Sequence, residues 1–236
     1  AANGGFFGQG KAYVFAWQPP AWVSDGVLEA DDAGLSDGFG TTVTIEDDIV
    51  VVGAPLFDRS SAIDEGAAYV FQRDNSGDWL LRSALRASDG ASGYRFGAAL
   101  DIQGNEVVVG APGAANLRGA VYVFARSGNE WNASGQIVAD VGQAGEAFGN
   151  AFAYAGTDLI IGAPDQDNVN GQGAGRVYLY ERVVETWAFA STLLATNRVV
   201  QAHFGTSVAM SDSLALIGAN GNDGDSGDHM VNEHTN

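Results

Sequence analysis

Two hydrophobic patterns alternate along this chain at a constant distance from one another. At Thr42–Ile45, Val43 and Ile45 alternate with threonines, the period-two pattern of a strand with one buried face. At Ile49–Val52 the run is continuous and β-branched, which suits a strand buried on both faces. A tight turn at Glu46–Asp48 joins the two. Gly53-Ala54-Pro55 ends the second, because Gly permits close backbone approach and Pro cannot donate to a ladder. After a polar loop come a strand at Ala67–Gln72, a turn around Asn75–Asp78 and a fourth strand from Trp79 to about Ala87. Helical periodicity is absent.

The whole set recurs. FGTTVTIEDDIVVVGAP from Phe39 returns as FGAALDIQGNEVVVGAP from Phe96, FGNAFAYAGTDLIIGAP from Phe148 and FGTSVAMSDSLALIGAN from Phe204. The interval from the Phe to the Gly of Gly-Ala is the same in all four copies, ending at Gly53, Gly110, Gly162 and Gly218. An aromatic strand recurs at Tyr13-Val14-Phe15, Tyr69-Val70-Phe71, Tyr122-Val123-Phe124 and Tyr178-Leu179-Tyr180. Trp22, Trp79, Trp131 and Trp187 stand at one fixed distance before Phe39, Phe96, Phe148 and Phe204. A repeat of this length, running from Phe39 to Phe96, to Phe148 and to Phe204 with four short antiparallel strands in each unit, predicts an all-β array of β-propeller blades. The blades fall at about 39–90, 96–142, 148–198 and 204–220, inside a single domain spanning 1–236. The phase of the Tyr, Phe and Trp marks assigns them to packing, with each Trp filling the space between neighbouring blades.

The last blade has only its first two strands, while 10–30 supplies the last two strands of a blade. Their union predicts a fourth blade that closes a four-bladed ring and leaves no open sheet edge. Residues 221–236 are an atypical tail, with His229-Met230-Val231-Asn232 where the aromatic strand would recur.

Charge narrows the partners. With 29 acidic and 11 basic residues the formal charge is −18, which argues against nucleic acid and against unaided binding to anionic membranes. No cysteine is present, so disulfides and thiolate zinc sites are excluded. No apolar run is long enough to span a membrane.

The combination of Phe-Gly, Gly-Ala-Pro, Gly-x-x-Tyr-Val-Phe and a Trp with a Leu six residues on resembles the FG-GAP repeat from about Gly10 to Asn220. This is the unit of the integrin α-chain propeller and of many bacterial exported proteins, and the chain looks closest to the short bacterial form. The resemblance implies a secreted or cell-surface propeller that acts through adhesion or ligand binding and is rarely itself catalytic. Integrin-type propellers have seven blades, so the alternative to a closed four-bladed ring is a fragment of a longer one. Integrin-type repeats also carry a spaced Ca²⁺ loop between their first two strands. Here those positions are the short turns Glu46-Asp47-Asp48, Gln103-Gly104-Asn105, Ala155-Gly156-Thr157 and Ser211-Asp212-Ser213, so that calcium function is not carried over.

The spacing from Gly-Ala to the aromatic strand varies. The stretch from Gly110 to Tyr122 is shorter than those from Gly53 to Tyr69 and from Gly162 to Tyr178, and loops that vary in length are where binding residues collect. Two of these loops carry oxygen ligands: Asp165, Asp167 and Asn170 in one, and Asn222, Asp223 and Asp225 in the last. These are the candidate Ca²⁺ donors, although Asp and Asn are also ordinary turn formers. Asp31, Asp32, Asp89 and Asp140 recur nine or ten residues after Trp, in the loops between blades. With Phe57 and Asp58 they define an acidic face for an extracellular protein or glycan. The carbohydrate alternative is a lectin-like propeller whose loop rings, such as Phe57, stack on sugars. A second alternative is a carbohydrate-active enzyme using carboxylates of the central channel. The three histidines, at 203, 229 and 234, form no phased pair with a nucleophile, and the spacing from His229 to Glu233-His234 misses the inverzincin pattern.

Overall fold

A computed structural model describes residues 9–139, 143–168, 171–196, 200–211 and 213–221. The first hairpin pairs β1 (Ala12–Gln18) with β2 (Ala21–Leu28). Blade 1 is a meander of β3 (Thr42–Glu46), β4 (Ile49–Ala54), β5 (Ala67–Arg73) and β6 (Trp79–Leu85). Blade 2 follows with β7 (Ala99–Gln103), β8 (Glu106–Ala111), β9 (Ala120–Ser127) and β10 (Glu130–Ile137). Blade 3 contains β11 (Ala151–Ala155), β12 (Asp158–Ala163), β13 (Arg176–Val183) and β14 (Thr186–Leu193), and the chain then forms β15 (Phe204–Ser211) and β16 (Leu214–Ala219). Within each described sheet neighbouring strands pair antiparallel, as short turns between consecutive strands require.

The register repeats from blade to blade. Val52, Val109 and Ile161 on the second strands oppose Tyr69, Tyr122 and Tyr178 on the third. A bulge interrupts the pairing of third and fourth strands at the same place in every case, within Val14/Phe15, Val70/Phe71, Val123/Phe124 and Leu179/Tyr180. That extra residue adds local twist. First strands of successive blades lie side by side, β3 to β7, β7 to β11 and β11 to β15, so the blades are arranged as in a propeller.

The core lies between blades. Ala12 and Leu28 of the first hairpin pack with Val50, Val52, Tyr69 and Phe71 of blade 1. Ile49, Val51, Val70 and Leu85 of blade 1 pack with Phe96, Ile102, Val107 and Val109 of blade 2, and Val108, Val121 and Ile137 of blade 2 meet Phe148, Leu159 and Ile161 of blade 3. In each of the three complete blades the Phe of the Phe-Gly pair stands edge-on to two rings of its own blade. Phe96 meets Tyr122 and Phe124 at 5.4 and 5.9 Å, and Phe39 and Phe148 repeat the arrangement. Edge-to-face geometry places the positive ring edge on the negative face.

The two glycine signatures meet at the seam. Gly40, Gly97 and Gly149 donate their N–H to the carbonyls of Gly53, Gly110 and Gly162 at 3.0 to 3.1 Å within each repeat. The glycine that ends the second strand also abuts the Phe-Gly glycine of the following blade. A Cβ on Gly53, Gly110 or Gly162 would overlap the carbonyl oxygen of Gly97, Gly149 or Gly205. The Phe-Gly glycines themselves hold φ of +85° to +97°, in the region only glycine enters without strain.

Tryptophan follows the expectation at three of four places. Trp79 packs on Gly26 of the first hairpin and donates to Asp25 (3.1 Å), Trp131 is buried with blade 1, and Trp187 packs within the core between blades 2 and 3. Trp22 is exposed instead, on the first hairpin with its ring tilted against Trp17 at 5.6 Å. The described structure also does not unite the two half-blades. β1–β2 and β15–β16 are separate two-stranded sheets among the described residues, and closure of the ring is not shown. Of the tail, all but Gly221 lies outside the described residues.

Two outcomes test this frame. Gly110→Ala places a methyl against Gly149 and is expected to lower stability by roughly 1–3 kcal/mol in urea denaturation, the cost of overpacking. Gly135→Ala, whose nearest neighbour would be Val123 at 3.8 Å, is the control expected to stay within about 0.5 kcal/mol. The second concerns Asp101, which ties β7 to β11 by accepting the Tyr154 N–H (3.1 Å) and also caps Ile102 N–H (2.9 Å). Burial pushes its carboxyl above the usual range, partly offset by these two bonds. The folded state therefore retains a proton that the unfolded state has released, and stability falls as pH rises from the ordinary value of about 3.9 through the raised one. Asp101→Asn is expected to be less stable by about 1 kcal/mol, for one lost acceptor, but to lack this slope. Equal slopes of urea midpoint against pH in the two proteins would refute the assignment.

Candidate ligand-binding face

A meander of four strands puts the loop after its second strand and the link to the next blade at the same end. The structure ties these loops to each other: Arg95 N–H donates to Asp64 O (3.0 Å), Gly113 N–H to Tyr94 O (3.1 Å) and Asp165 N–H to Glu146 O (3.3 Å). The sequence-derived acidic residues in the described parts of these loops do share one end of the molecule.

Several of them hold the frame. Asp32 Oδ1 accepts the Tyr69 hydroxyl (2.8 Å), and its Oδ2 pairs with Arg86 Nη2 (2.8 Å). Asp89 Oδ1 accepts the Tyr122 hydroxyl (2.6 Å). The recurrence of Asp after Trp thus has a structural cause, an inter-blade latch onto the Tyr of the next aromatic strand. Burial pushes the pKa of both tyrosine hydroxyls above that of the ordinary phenol, so each remains a neutral donor to its carboxylate. Asp58 Oδ1 accepts Asp64 N–H (2.8 Å) and closes its own loop, and Asp31 is exposed at the surface. Asp140 lies outside the described residues.

Phe57 corrects the expectation of a sugar-stacking ring. It is buried in the core, and the Arg86 guanidinium covers its face at 4.4 Å while reaching Tyr69 at 4.9 Å. A cation stacked there and neutralised by Asp32 leaves no ring surface for a ligand. Two further acids were not singled out from the sequence. Asp37 and Glu146 stand two residues before a Phe-Gly and are buried. Burial pushes both carboxyls upward against the N–H bonds they accept from Gly34 and Gln143, each 2.6 Å. Their signal is the shared repeat position.

The junction between blade 3 and β15–β16 holds an open polar recess of about 430 Å³, lined by Asn150, Pro164, Asp165, His203, Thr206, Asn220 and Gly221. Here His203 Nδ1 lies 2.7 Å from Asp165 Oδ1, and Thr206 Oγ1 donates to His203 O (2.6 Å) and lies 2.9 Å from Asn220 Oδ1. His203 occupies the residue before Phe-Gly, which is left-handed in all four repeats: Gly38, Arg95, Ala147 and His203 have φ of +52° to +73°. That backbone turns the side chain out beside the loop of the preceding blade. The repeat phase of His203 was the available signal.

The described donors do not assemble a calcium cage. Asp165 is paired with His203, and Asp167 Oδ1 accepts Gly173 N–H (2.8 Å). Asn170, Asn222, Asp223 and Asp225 lie outside the described residues, and among those described no three His, Asp or Glu side chains converge as metal ligands. The turns between first and second strands have two residues, Glu46 pairing with Ile49, Gln103 with Glu106, and Ala155 with Asp158, so no integrin-type loop fits there. Carboxylates on the first strands are engaged too: Glu46 accepts Gly104 N–H (2.6 Å), as Asp101 accepts Tyr154 N–H.

The comparisons agree with this geometry. A family model described as FG-GAP repeat matches residues 22–71, 79–124, 131–180 and 187–230. Human integrin alpha-D is 28% identical over 129 residues, covering 49% of this chain and 11% of the relative's length. Among the described residues no helix is long and apolar enough to cross a membrane. The matches support an adhesion or recognition module in the general sense. With the glycine seam recurring at the residues the family model covers, the chain belongs to the FG-GAP repeat family.

Proposed function

We propose that this chain is a non-catalytic recognition module, secreted or displayed at a cell surface, that binds a basic segment of an extracellular protein through the loop end of its blades. The observation that carries this reading is the recess between blade 3 and β15–β16. Four segments from two repeats converge there, and they present a carboxylate, an imidazole and two carboxamides around an open volume. Such a set supplies directional hydrogen bonds together with negative charge. The rest of the molecule reinforces it: a formal charge of −18 raises the encounter rate with a cationic partner and selects against anionic ones. The glycan reading has less support, because the ring it would use is Phe57. Calcium binding by Asp165 and Asp167 would require each to release its present partner, and it belongs to the same test.

A random peptide library displayed on phage, selected against the immobilised chain, identifies the chemistry. Lys- and Arg-rich sequences are expected to enrich. Their affinity should fall about 10- to 100-fold in Asp165→Ala and His203→Ala, the loss of one or two charge-assisted hydrogen bonds. Running the selection with Ca²⁺ and with chelator separates direct recognition from cation bridging. Peptides that bind both variants as tightly as the parent chain would sink the proposal.

A further inference from the structure

We propose that Ile63 and Leu117 form an apolar ledge beside the recess, and that this ledge seats the apolar side chains of an extended segment whose Lys or Arg occupies the recess. The inference rests on the basic-segment reading above and adds to it the other half of the partner's chemistry.

One position of the repeat defines the ledge. At each junction the N–H three residues before a Phe-Gly donates to a carbonyl in the loop of the preceding blade: Gly93 to Ile63 (2.8 Å), Gly145 to Leu117 (2.6 Å) and Gln201 to Gln172 (2.8 Å). Ile63, Leu117 and Gln172 are therefore equivalent, and all three are exposed. Ile63 is 64% and Leu117 57% exposed. Gln172 shows that the position accepts a polar side chain, so packing within the frame does not call for an aliphatic one. A single exposed aliphatic residue is ordinary, but the same outward position filled on two successive blades makes a continuous feature.

Leu117 is also held out on strained backbone. Ala115, Asn116 and Leu117 have φ of +51°, +60° and +65°, a left-handed run that residues with a Cβ enter at a cost. Glycine would satisfy that turn without strain, yet a leucine stands there.

The ledge and the recess follow one another along the loop end. Tyr94 O, in the link that holds Ile63, accepts the Gly113 N–H from the loop of Leu117 (3.1 Å). Leu117 in turn holds the next link at Gly145, and the adjacent Glu146 O accepts the N–H of Asp165 in the recess wall (3.3 Å). Charge follows the same order. Around the ledge it is balanced, because Asp58 and Asp64 stand against Arg95 and Arg118, and Arg59 pairs with the buried Glu65 (2.8 Å). At the recess the half-exposed Asp165 carboxylate faces outward. The complementary partner is apolar where it crosses the ledge and cationic where it meets the recess. An extended chain, whose alternate side chains point the same way, reaches along such a row, and burial of the aliphatic surface drives its docking.

Fluorescence polarisation with two labelled peptides, Leu-Ser-Leu-Ser-Lys-Lys and Ser-Ser-Ser-Ser-Lys-Lys, tests the inference. The parent chain is expected to bind the leucine peptide about 10-fold more tightly, the effect of partly burying leucine side chains. A double variant, Ile63→Gln with Leu117→Gln, copies the residue at Gln172 and should remove that preference while leaving the affinity for the serine peptide unchanged. Asp165→Ala should weaken both peptides by the same factor. Equal affinity of the parent chain for the two peptides overturns the ledge, as does a leucine preference that survives in the double variant. In both cases a loss of binding in Asp165→Ala leaves the recess reading standing. Failure of both peptides to bind the parent chain overturns the two readings together. The comparison of peptides on the parent chain needs no variant, so it decides the matter even where a substitution disturbs folding.

Discussion

The contact on which the molecule depends is the approach of one backbone to another at the inter-blade seam. A second-strand glycine lies against the carbonyl of the next Phe-Gly glycine, and any side chain there would hold the blades apart. This explains why two glycines at a fixed separation, Gly40 and Gly53 in the first complete copy, mark every repeat. Within a repeat the pair closes through a hydrogen bond between N–H and carbonyl; between repeats it meets sterically. The Phe beside the first glycine is thereby carried into the gap, where it meets the two rings of the aromatic strand. Glycine sets the distance and Phe fills what remains. The hydrophobic seams between blades, each with its own cluster, supply the stabilisation.

A polar lattice at the loop end locks the angle that the seam leaves open. The Tyr69 and Tyr122 hydroxyls reach back to Asp32 and Asp89 in the links from the preceding blade. A bond of this kind contributes about 1 kcal/mol net, more where the acceptor is charged. Its larger effect is directional, because it orients the link that carries the loop-face side chains. At the opposite side Arg182 of blade 3 pairs with Glu106 of blade 2 (2.6 Å), and hydrogen bonding to Glu106 pushes the Arg182 pKa further up. Negative charge at the loop end is therefore partly consumed by the frame.

The architecture was legible because its determinants are local and repeated. Alternation at Val43 and Ile45, the continuous run from Ile49 and the phased glycines each report one strand or one turn, and four copies reinforce one another. The site was less legible because it depends on contacts distant in sequence. Phe57 looked like an exposed loop ring, and only the arrival of Arg86, just after the fourth strand, shows that its face is taken. Asp32 and Asp89 looked free for the same reason, since their partners lie 37 and 33 residues away. His203 shows the converse. It forms no motif with its neighbours in sequence, and it gains meaning only through Asp165, 38 residues earlier on the previous blade.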